Sequence, residues 1–496
     1  MRANGILLPI SSLPSPYGIG CFSREAYAFI DQLEKAGQKY WQILPLGPTG
    51  YGDSPYQSFS TFAGNPYYID LDRLVAKGWL LEEEVKELAD NGPIRDTDYG
   101  KLFKTRYVLL KKAFLCSGIE KTEAFKRYCI QERYWLEDYA LYMALKEEHH
   151  YCSWENWEES IRFRNPETLK IKKKQWKEEI LFHQFLQFLF QKQWKELRNY
   201  ARAKGIKIIG DLPIYVSFDS ADVWAGQQLF QMDDKGRPEA VAGVPPDGFS
   251  ADGQVWGNPL YAWEYHEKTG YAWWMQRLAS CFSLYDVVRI DHFRGFDEYY
   301  CVPYGDRTAR RGTWKKGPGL SFFRKVKEKF PGRALIAEDL GYMTDSVRQL
   351  LNDTGYPGMK ILEFAFDSRD SGNAREYLPH NYEKNTVVYT GTHDNETLTG
   401  WFTEGIREEE RQMVRRYFHD EHTADEKMYK TMICGAMRSV ADLCIIPMQD
   451  ILGLDNRARM NRPSTTGINW KWRLKEDEFG EDEIRWLAEQ TACYGR

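Results

Sequence analysis

Charged and titratable side chains interrupt an apolar segment that reads DVVRIDHFRGF and spans residues 286–296. On a β-strand, Arg289 and Asp291 are two positions apart, so their side chains point to the same face. An arginine beside a carboxylate favours the ionised carboxylate, and an ionised carboxylate at the end of a barrel strand is a candidate nucleophile. A salt bridge at the rim of the sheet, or a cap for the following helix, explains this one motif equally well.

Two further apolar segments also end in acidic residues. Glu338 and Asp339 follow the apolar residues 335–337, and Asp394 follows His393 in the sequence THDN. Burial raises the pKa of a carboxyl group, so Glu338 is a candidate general acid, whereas Asp339 also fits the acid that begins a helix. The His–Asp pair could serve nucleophilic chemistry or bind a metal, but no G-x-S-x-G motif and no further metal ligands accompany it.

Together, the three acids indicate chemistry on a glycosidic bond. Retaining glycoside cleavage needs one charged carboxylate as the nucleophile and one protonated carboxyl group as the acid, and Asp291 and Glu338 fit these two roles. A third carboxylate, here Asp394, can bind sugar hydroxyls and stabilise positive charge in an oxocarbenium-like transition state. Acids at the ends of three strands of one barrel are hard to explain as three independent helix caps.

The acids need a scaffold that brings strand ends together, and eight apolar segments supply the strands. Their unalternated apolar composition is typical of strands buried on both faces of a parallel sheet. The segments are 5–11, 40–47, 206–216, 285–291, 333–341, 359–366, 385–394 and 441–450. Amphipathic segments separate several of them, which predicts an α/β fold, a (β/α)8 TIM barrel with helical insertions and long active-site loops. An open doubly wound sheet is the alternative, but no G-x-G-x-x-G motif follows a strand.

The spacing of the segments is uneven, which indicates insertions into the barrel. Residues 72–204 are rich in Lys, Glu, Trp and Leu with helical periodicity, and we predict that they form a mainly helical insertion subdomain. The catalytic barrel is then discontinuous and consists of residues 1–71 and 205–496. Within it, residues 217–283 contain the sequence GVPPDGFSADGQVWGNPL, whose Gly, Pro and Asp content predicts a lid loop at the carboxyl end of the barrel.

Aromatic residues make up 15% of the chain, and some of them lie in predicted loops. Sugar rings present apolar C–H faces against which aromatic side chains pack. Residues 51–71 mix Tyr, Phe, Gly and Pro with few aliphatic residues, so they are predicted to form a binding loop. Trp256 in the lid is a second candidate for sugar contact. Asp211, at the rim of the third predicted strand, is a candidate for binding a hydroxyl group or for forming a turn.

The composition argues against several other classes of protein. The net charge of −5 provides no basic surface for nucleic acid or anionic lipid, and no run of about 18 apolar residues predicts a membrane span. The nine cysteines form no C-x-x-C pair, and the histidines show no H-E-x-x-H spacing, so neither a disulfide framework nor a zinc site is predicted. We expect reduced thiols in a cytoplasmic protein that uses no metal or other cofactor.

Seven motifs resemble, in the same order along residues 5–473, those of the bacterial 4-α-glucanotransferases, also called amylomaltases or disproportionating enzymes, of the α-amylase clan. The motifs are YGDSPYQSFSTFAGNPY, GDLPIYV, GVPPDGFSADGQVWGNPLY, RIDHFRG, AEDLG, THDN and NRPSTTGINWKWR. The resemblance implies a TIM barrel with inserted subdomains and transfer of α-1,4-glucan segments between maltooligosaccharides, with glucose as acceptor or product. It also implies that the amylase-type calcium site is absent.

The same resemblance implies roles for individual residues. Asp291 would form a β-linked glycosyl-enzyme, Glu338 would act first as acid and then as base, and Asp394 would stabilise the transition state through hydroxyls of the reacting ring. The residues expected to support or contact the substrate are Arg289, His393, Asp211, Tyr56, Trp256 and Tyr51. Ser464 departs from the glycine that many members carry after this proline, which bears on the shape of its loop.

Three other functions stay open at the level of the sequence. A hydrolase of the same clan would resolve the intermediate with water, and the choice depends on how well the lid excludes water and how tightly an acceptor sugar is held. A catalytically inactive glucan-binding protein is disfavoured because all three acids are retained. A metallohydrolase built on His292, His393 and nearby acids would lose activity with a chelator.

Overall fold

The computed structural model describes residues 2–50, 52–87, 95–246, 250–341, 343–368 and 374–496. Twelve strands lie in these ranges. They are β1 (Ala3–Leu7), β2 (Tyr40–Gln42), β3 (Lys207–Leu212), β4 (Ala240–Val244), β5 (Gln254–Pro259), β6 (Val287–Ile290), β7 (Glu298–Pro303), β8 (Thr313–Lys316), β9 (Ala334–Ala337), β10 (Gly358–Ile361), β11 (Thr386–Tyr389) and β12 (Leu443–Pro447).

Eight of the described strands form one parallel sheet, in the order β10-β11-β12-β1-β2-β3-β6-β9. The end strands β9 and β10 are neighbours, and the amide of Ala337 donates a hydrogen bond to the carbonyl of Pro357 at 2.9 Å. The sheet is therefore nearly closed, and each of its strands overlaps one of the eight predicted segments. The predicted (β/α)8 barrel is confirmed, although the strands are shorter than the apolar segments.

Nineteen α-helices lie in the described residues, nine of them before β3. These nine are α1 (Arg24–Lys35), α2 (Asp72–Val75), α3 (Glu82–Lys86), α4 (Tyr99–Ser117), α5 (Glu123–Gln131), α6 (Arg133–Glu148), α7 (Glu159–Arg162), α8 (Pro166–Gln175) and α9 (Lys177–Ala203). Helices α2 to α9 occupy the connection between β2 and β3, where helical periodicity was predicted. The limits of a separate insertion subdomain at 72 and 204 stay a prediction.

The other ten helices follow β3. They are α10 (Ala221–Ala225), α11 (Trp263–Lys268), α12 (Ala272–Leu284), α13 (Gly319–Lys329), α14 (Asp345–Thr354), α15 (Leu398–Gly400), α16 (Glu408–Phe418), α17 (Met428–Arg438), α18 (Met448–Ile451) and α19 (Glu481–Cys493). Most connect successive barrel strands, as the fold requires. Within the described ranges, no helix is long and apolar enough to cross a membrane.

The inward face of the barrel changes from apolar to polar along the strands. Ile209 of β3 is in register with Val287 of β6, and two residues later Asp211 is in register with Arg289. Because side chains alternate across a strand, these four residues share one face of the sheet. Ile209 and Val287 belong to an apolar cluster contributed by the barrel strands. The next inward pair, Asp211 and Arg289, brings charge to the carboxyl end of the barrel.

Strands β4, β5, β7 and β8 form a separate antiparallel sheet in the order β5-β4-β7-β8, which sequence patterns did not predict. Strands β4 and β5 lie within residues 217–283, whereas β7 and β8 follow β6. In this sheet Gly243 of β4 pairs with Tyr300 of β7, although the barrel strand β6 lies between β4 and β7 in the sequence. The region predicted as a lid loop therefore contains two strands and helices α10 to α12, and its strand β4 pairs with β7 outside it.

Candidate active site

A cleft with a volume of about 540 Å³ opens at the carboxyl ends of the barrel strands. This volume is in the usual range of ligand sites, ~300–1,000 Å³. Asp291 directly follows β6, Glu338 directly follows β9, and Asp394 lies in the loop after β11. All three line the cleft, because the carboxyl ends of parallel strands meet at one edge of the barrel.

Arg289 joins two carboxylates at the base of the cleft. Its Nη1 atom donates hydrogen bonds to both carboxylate oxygens of Asp211 at 2.8 Å and to Oδ1 of Asp291 at 3.0 Å. The hydroxyl of Tyr56 donates to Oδ2 of Asp211 at 2.6 Å. The Asp211 side chain is 0% exposed, so Asp211 lies beneath the cleft and orients Arg289 and Tyr56, which face it.

Glu338 is held by backbone amides next to Asp291. The amide of His292 donates to Oε2 of Glu338, and the amide of Leu340 donates to Oε1 at 3.3 Å. His292 adopts φ +50°, a left-handed conformation that is uncommon for residues other than glycine. This turn immediately after Asp291 brings the His292 amide to Glu338, so the ends of β6 and β9 are tied together.

Burial and charge set the protonation of the two acids. Desolvation raises the pKa of Glu338, and the charge on Asp291 adds to this effect while Arg289 opposes it. Desolvation also raises the pKa of Asp291, with the charge and hydrogen bond of Arg289 acting in the opposite direction. Glu338 keeps the higher pKa of the two. When the pair holds a single proton, that proton therefore lies on Glu338, which leaves Asp291 ionised beside Arg289.

Asp394 is positioned by the C-terminal part of the chain. Nδ2 of Asn461 donates to Oδ1 of Asp394 at 2.6 Å, and Arg459 donates to the backbone carbonyl of Asp394 at 2.7 Å. Nε2 of His393 lies 3.4 Å from Oδ2. The side chain of Asp394 is 47% exposed, compared with 28% for Asp291. Asp394 is thus the acid that is most open to a ligand's hydroxyl groups.

Aromatic rings form part of the cleft wall. Tyr56 stacks on His393 with ring centroids 5.2 Å apart and an interplanar angle of 14°, and Trp470 lies beside both rings. Trp256 of β5 meets the ring of His292 edge-on at a centroid distance of 4.9 Å. Desolvation lowers the pKa of His292 to about 3, so this ring is neutral at ordinary pH. These rings offer apolar surfaces to a sugar.

Seven of the predicted site residues line this one cleft. They are Asp291, Glu338, Asp394, Arg289, His393, Tyr56 and Trp256. Asp211 lies beneath the cleft, and Tyr51 lies outside the described residues. Their arrangement brings together positions from the first binding loop, the lid region and three barrel strands.

Sequence reasoning assigns no role to Asn461 or Trp470, which the structure places at the cleft. Both lie within the motif NRPSTTGINWKWR, but a motif marks a segment without showing which of its side chains reach Asp394. Ser464 of the same segment also lines the cleft and adopts φ +65°. Glycine adopts this conformation without strain, so the glycine implied by the resemblance would fit the same loop shape.

The hypothesis of a metal site finds no ligand set in the part of the chain that the structure describes. His292 and His393 both line the cleft. Across the described ranges, however, no three or more His, Cys, Asp or Glu side chains are grouped so that they could hold a metal ion. The carboxylates at the cleft are instead paired with Arg289, with backbone amides or with Asn461.

Comparisons with known proteins point to one family. A family model described as 4-alpha-glucanotransferase matches residues 8–478. A 4-alpha-glucanotransferase of Clostridium butyricum is 48% identical over 490 residues, which cover 98% of this chain and 99% of that protein. Another, of Thermus thermophilus, is 46% identical over 503 residues, which cover 99% of each chain. The structure of an amylomaltase from Streptococcus agalactiae in complex with acarbose superposes with a TM-score of 0.95 at 41% identity, covering 100% of both chains.

Proposed function

This chain belongs to the 4-alpha-glucanotransferase family, and we propose that Asp291, Glu338 and Asp394 carry out its reaction. The enzyme transfers an α-1,4-glucan segment from a donor to the 4-hydroxyl group of an acceptor glucose or glucan. The different partners of Asp291 and Glu338 support their assignment as nucleophile and acid. Asp291 and Glu338 are tied together at the ends of neighbouring strands, but only Asp291 is paired with Arg289.

In the first half-reaction, a carboxylate oxygen of Asp291 attacks C1 of the donor sugar while Glu338 gives its proton to the glycosidic oxygen. The bond between C1 and that oxygen breaks, the released fragment leaves with a new 4-hydroxyl group, and a β-linked glycosyl ester forms on Asp291. Arg289 favours the ionised nucleophile because its guanidinium lies 3.0 Å from Oδ1. Glu338 ends this step as a carboxylate.

In the second half-reaction, Glu338 removes the proton from the 4-hydroxyl group of the acceptor. The hydroxyl oxygen attacks C1, the ester to Asp291 breaks, and the two successive inversions restore the α configuration. Asp394 binds hydroxyls of the reacting ring and stabilises the positive charge that develops in both transition states. Its exposed carboxylate, fixed by Asn461, suits this role. Tyr56, His393 and Trp256 provide surfaces for the adjacent sugars.

We further propose that residues 72–204 form the insertion subdomain and that residues 217–283 cover the cleft. Trp256 supports the second proposal, because it belongs to that region and lines the cleft. A cytoplasmic location is proposed from the nine cysteines, all of which are free, since disulfides form and persist in oxidising compartments.

Product analysis on pure maltotriose tests the transfer reaction. We expect glucose together with a ladder of maltooligosaccharides longer than the substrate, and we expect the Asp291→Asn variant to form none of them. Maltose and glucose alone, with no longer product, would indicate that water resolves the intermediate and that the protein acts as a hydrolase. Longer products from the Asp291→Asn variant would remove the nucleophile assignment and leave the family activity intact.

A further inference from the structure

A second cleft lies between helix α6 and helices α10 to α12, away from the three acids. Its volume is about 320 Å³. Ser60 and Phe62 of the loop after β2 form part of its wall, together with residues of these helices. Among the described residues, the two clefts have no lining residue in common. The second cleft is therefore a separate site and not an extension of the walls around Asp291.

Aromatic side chains surround Phe62 in this second cleft. The rings of Tyr134 and Trp273 meet Phe62 edge-on at centroid distances of 5.7 Å and 6.2 Å, and the ring of Trp135 lies nearly parallel to it at 6.2 Å. Tyr134 is 45% exposed, and Tyr265 of α11, which also lines the cleft, is 39% exposed. Large exposed rings that converge on one cleft commonly mark a binding site.

The polar groups of the second cleft suit a neutral ligand with many hydroxyl groups. Within the described residues, the side-chain amides of Gln228 and Gln276 make no hydrogen bond to the protein. They are therefore free to bind a ligand. The described lining residues include two acids, Asp138, which pairs with Arg164, and the buried Asp222, but no Lys, Arg or His, so the lining itself offers no cation to attract a phosphate group or a nucleic acid.

The loop after β2 connects the two clefts. Tyr56 lines the catalytic cleft and Phe62 lies at the centre of the second one. Six residues of chain span at most about 22 Å. A smaller pocket of about 60 Å³ is lined by both Tyr56 and Phe62. A long glucan bound at the second cleft is thus held close to the catalytic acids, which raises its effective concentration there.

We propose that this second cleft binds the chain of a long α-1,4-glucan and so favours long glucans over short maltooligosaccharides as substrates. Apolar C–H faces of the sugar rings would pack on Tyr134 and Tyr265, and sugar hydroxyls would bond to Gln228, Gln276 and Asp138. The inference rests on α-glucan transfer as the reaction of the catalytic cleft. A donor as short as maltotriose, whose rings all occupy the catalytic cleft, gains nothing from the second one.

The test compares Tyr134→Ala, Tyr265→Ala and the double variant with two controls. Tyr134→Phe keeps the aromatic ring, and Tyr304→Ala removes a tyrosine that is 44% exposed but lines neither cleft. Transfer rates are measured on amylose of several tens of glucose units and on maltotriose, and binding is measured by electrophoresis in gels that contain amylose. We expect each alanine variant in the second cleft to raise KM for amylose and weaken retention by roughly fivefold to tenfold.

Both controls should retain the parent KM for amylose and the parent retention in amylose gels. All variants should retain the parent rate on maltotriose. Alanine variants of Tyr134 and Tyr265 that match Tyr304→Ala on amylose would overturn the second site. An equal loss on amylose and maltotriose would also overturn it, because these residues would then act through the catalytic cleft or the fold. Absence of transfer products from maltotriose in the parent enzyme would instead contradict the proposed function, so the two failures are distinguishable.

Discussion

The active site holds its acids in two different ways. Asp291 and Glu338 lie directly after β6 and β9, and their partners are Arg289 of β6 and the backbone amides of His292 and Leu340, two and three residues beyond the two strands. Asp394 lies in a loop after β11, and its carboxylate is held by the side chain of Asn461, which belongs to no strand. Sheet register therefore fixes the reacting pair, whereas single side-chain hydrogen bonds fix the third acid. Substitutions in the two regions should have effects of different size.

Removal of the nucleophile should have the largest effect. Asp291→Asn keeps the shape of the side chain but abolishes formation of the glycosyl ester, so we expect kcat on maltotriose to fall by about 10⁴-fold or more. Binding of maltooligosaccharides, measured by calorimetry, should persist because the cleft walls are unchanged. A variant that retains a substantial part of the parent kcat would show that another group attacks C1.

Replacement of the acid should come next. Glu338→Gln cannot donate a proton, so we expect a loss of roughly 10²–10⁴-fold in kcat on maltotriose. Asp339→Asn is the matched control: Asp339 is the adjacent strand-end acid, but its carboxylate accepts a hydrogen bond from the amide of Met359 at 2.6 Å and does not line the cleft. Equal losses in the two variants would contradict the assignment of Glu338 as the acid.

The ion pairs that Arg289 forms at the base of the cleft should stabilise the folded protein as well as support catalysis. Arg289→Leu leaves Asp211 buried without its cationic partner, so we expect the free energy of unfolding in urea to fall by about 3–5 kcal/mol. Arg24→Leu is the control, because the Arg24 side chain is 78% exposed and its pairing with Glu25 should contribute little. An unchanged midpoint for Arg289→Leu would show that Asp211 does not depend on Arg289.

A smaller effect is expected where a side chain holds Asp394. Asn461→Ala removes the hydrogen bond at 2.6 Å to Oδ1, and we expect kcat/KM on maltotriose to fall by roughly tenfold to a hundredfold, as for the loss of a hydrogen bond to a charged group. The same substitution in an Asp394→Asn background should cost less, because the two residues act through one contact. Full additivity of the two changes would contradict a positioning role for Asn461.

The last prediction concerns the dependence of kcat/KM on pH in the unchanged protein. Glu338 must be protonated to donate its proton, and its pKa is raised by desolvation. Activity is therefore expected to persist above the ordinary pKa of glutamate, ~4.3, and to be lost only as pH rises through the raised value. This high-pH limb of the kcat/KM profile should be absent in Glu338→Gln. A parent profile that falls near pH 4.3 would indicate a water-exposed acid.

The barrel and its acids were predictable because each barrel strand is a short apolar segment with a polar end. The pairing of Gly243 with Tyr300 was not, since β4 and β7 are separated by a barrel strand and neither forms a long apolar run. The burial of Asp211 beneath Arg289 and Tyr56 depends on register between β3 and β6, which the sequence does not display. Asn461 was missed for the same reason, because its contact with Asp394 joins distant parts of the chain.

Trapping of the glycosyl-enzyme tests the role of Asp291 most directly. The Glu338→Gln variant is incubated with α-maltosyl fluoride, whose fluoride leaves without a proton, and peptides from the digested protein are analysed by mass spectrometry. Since the variant has no base to activate an acceptor, the ester should accumulate, and the peptide that contains Asp291 should gain the mass of one maltosyl group. Fluoride release with the adduct on another residue, or with no adduct, would contradict Asp291 as the nucleophile.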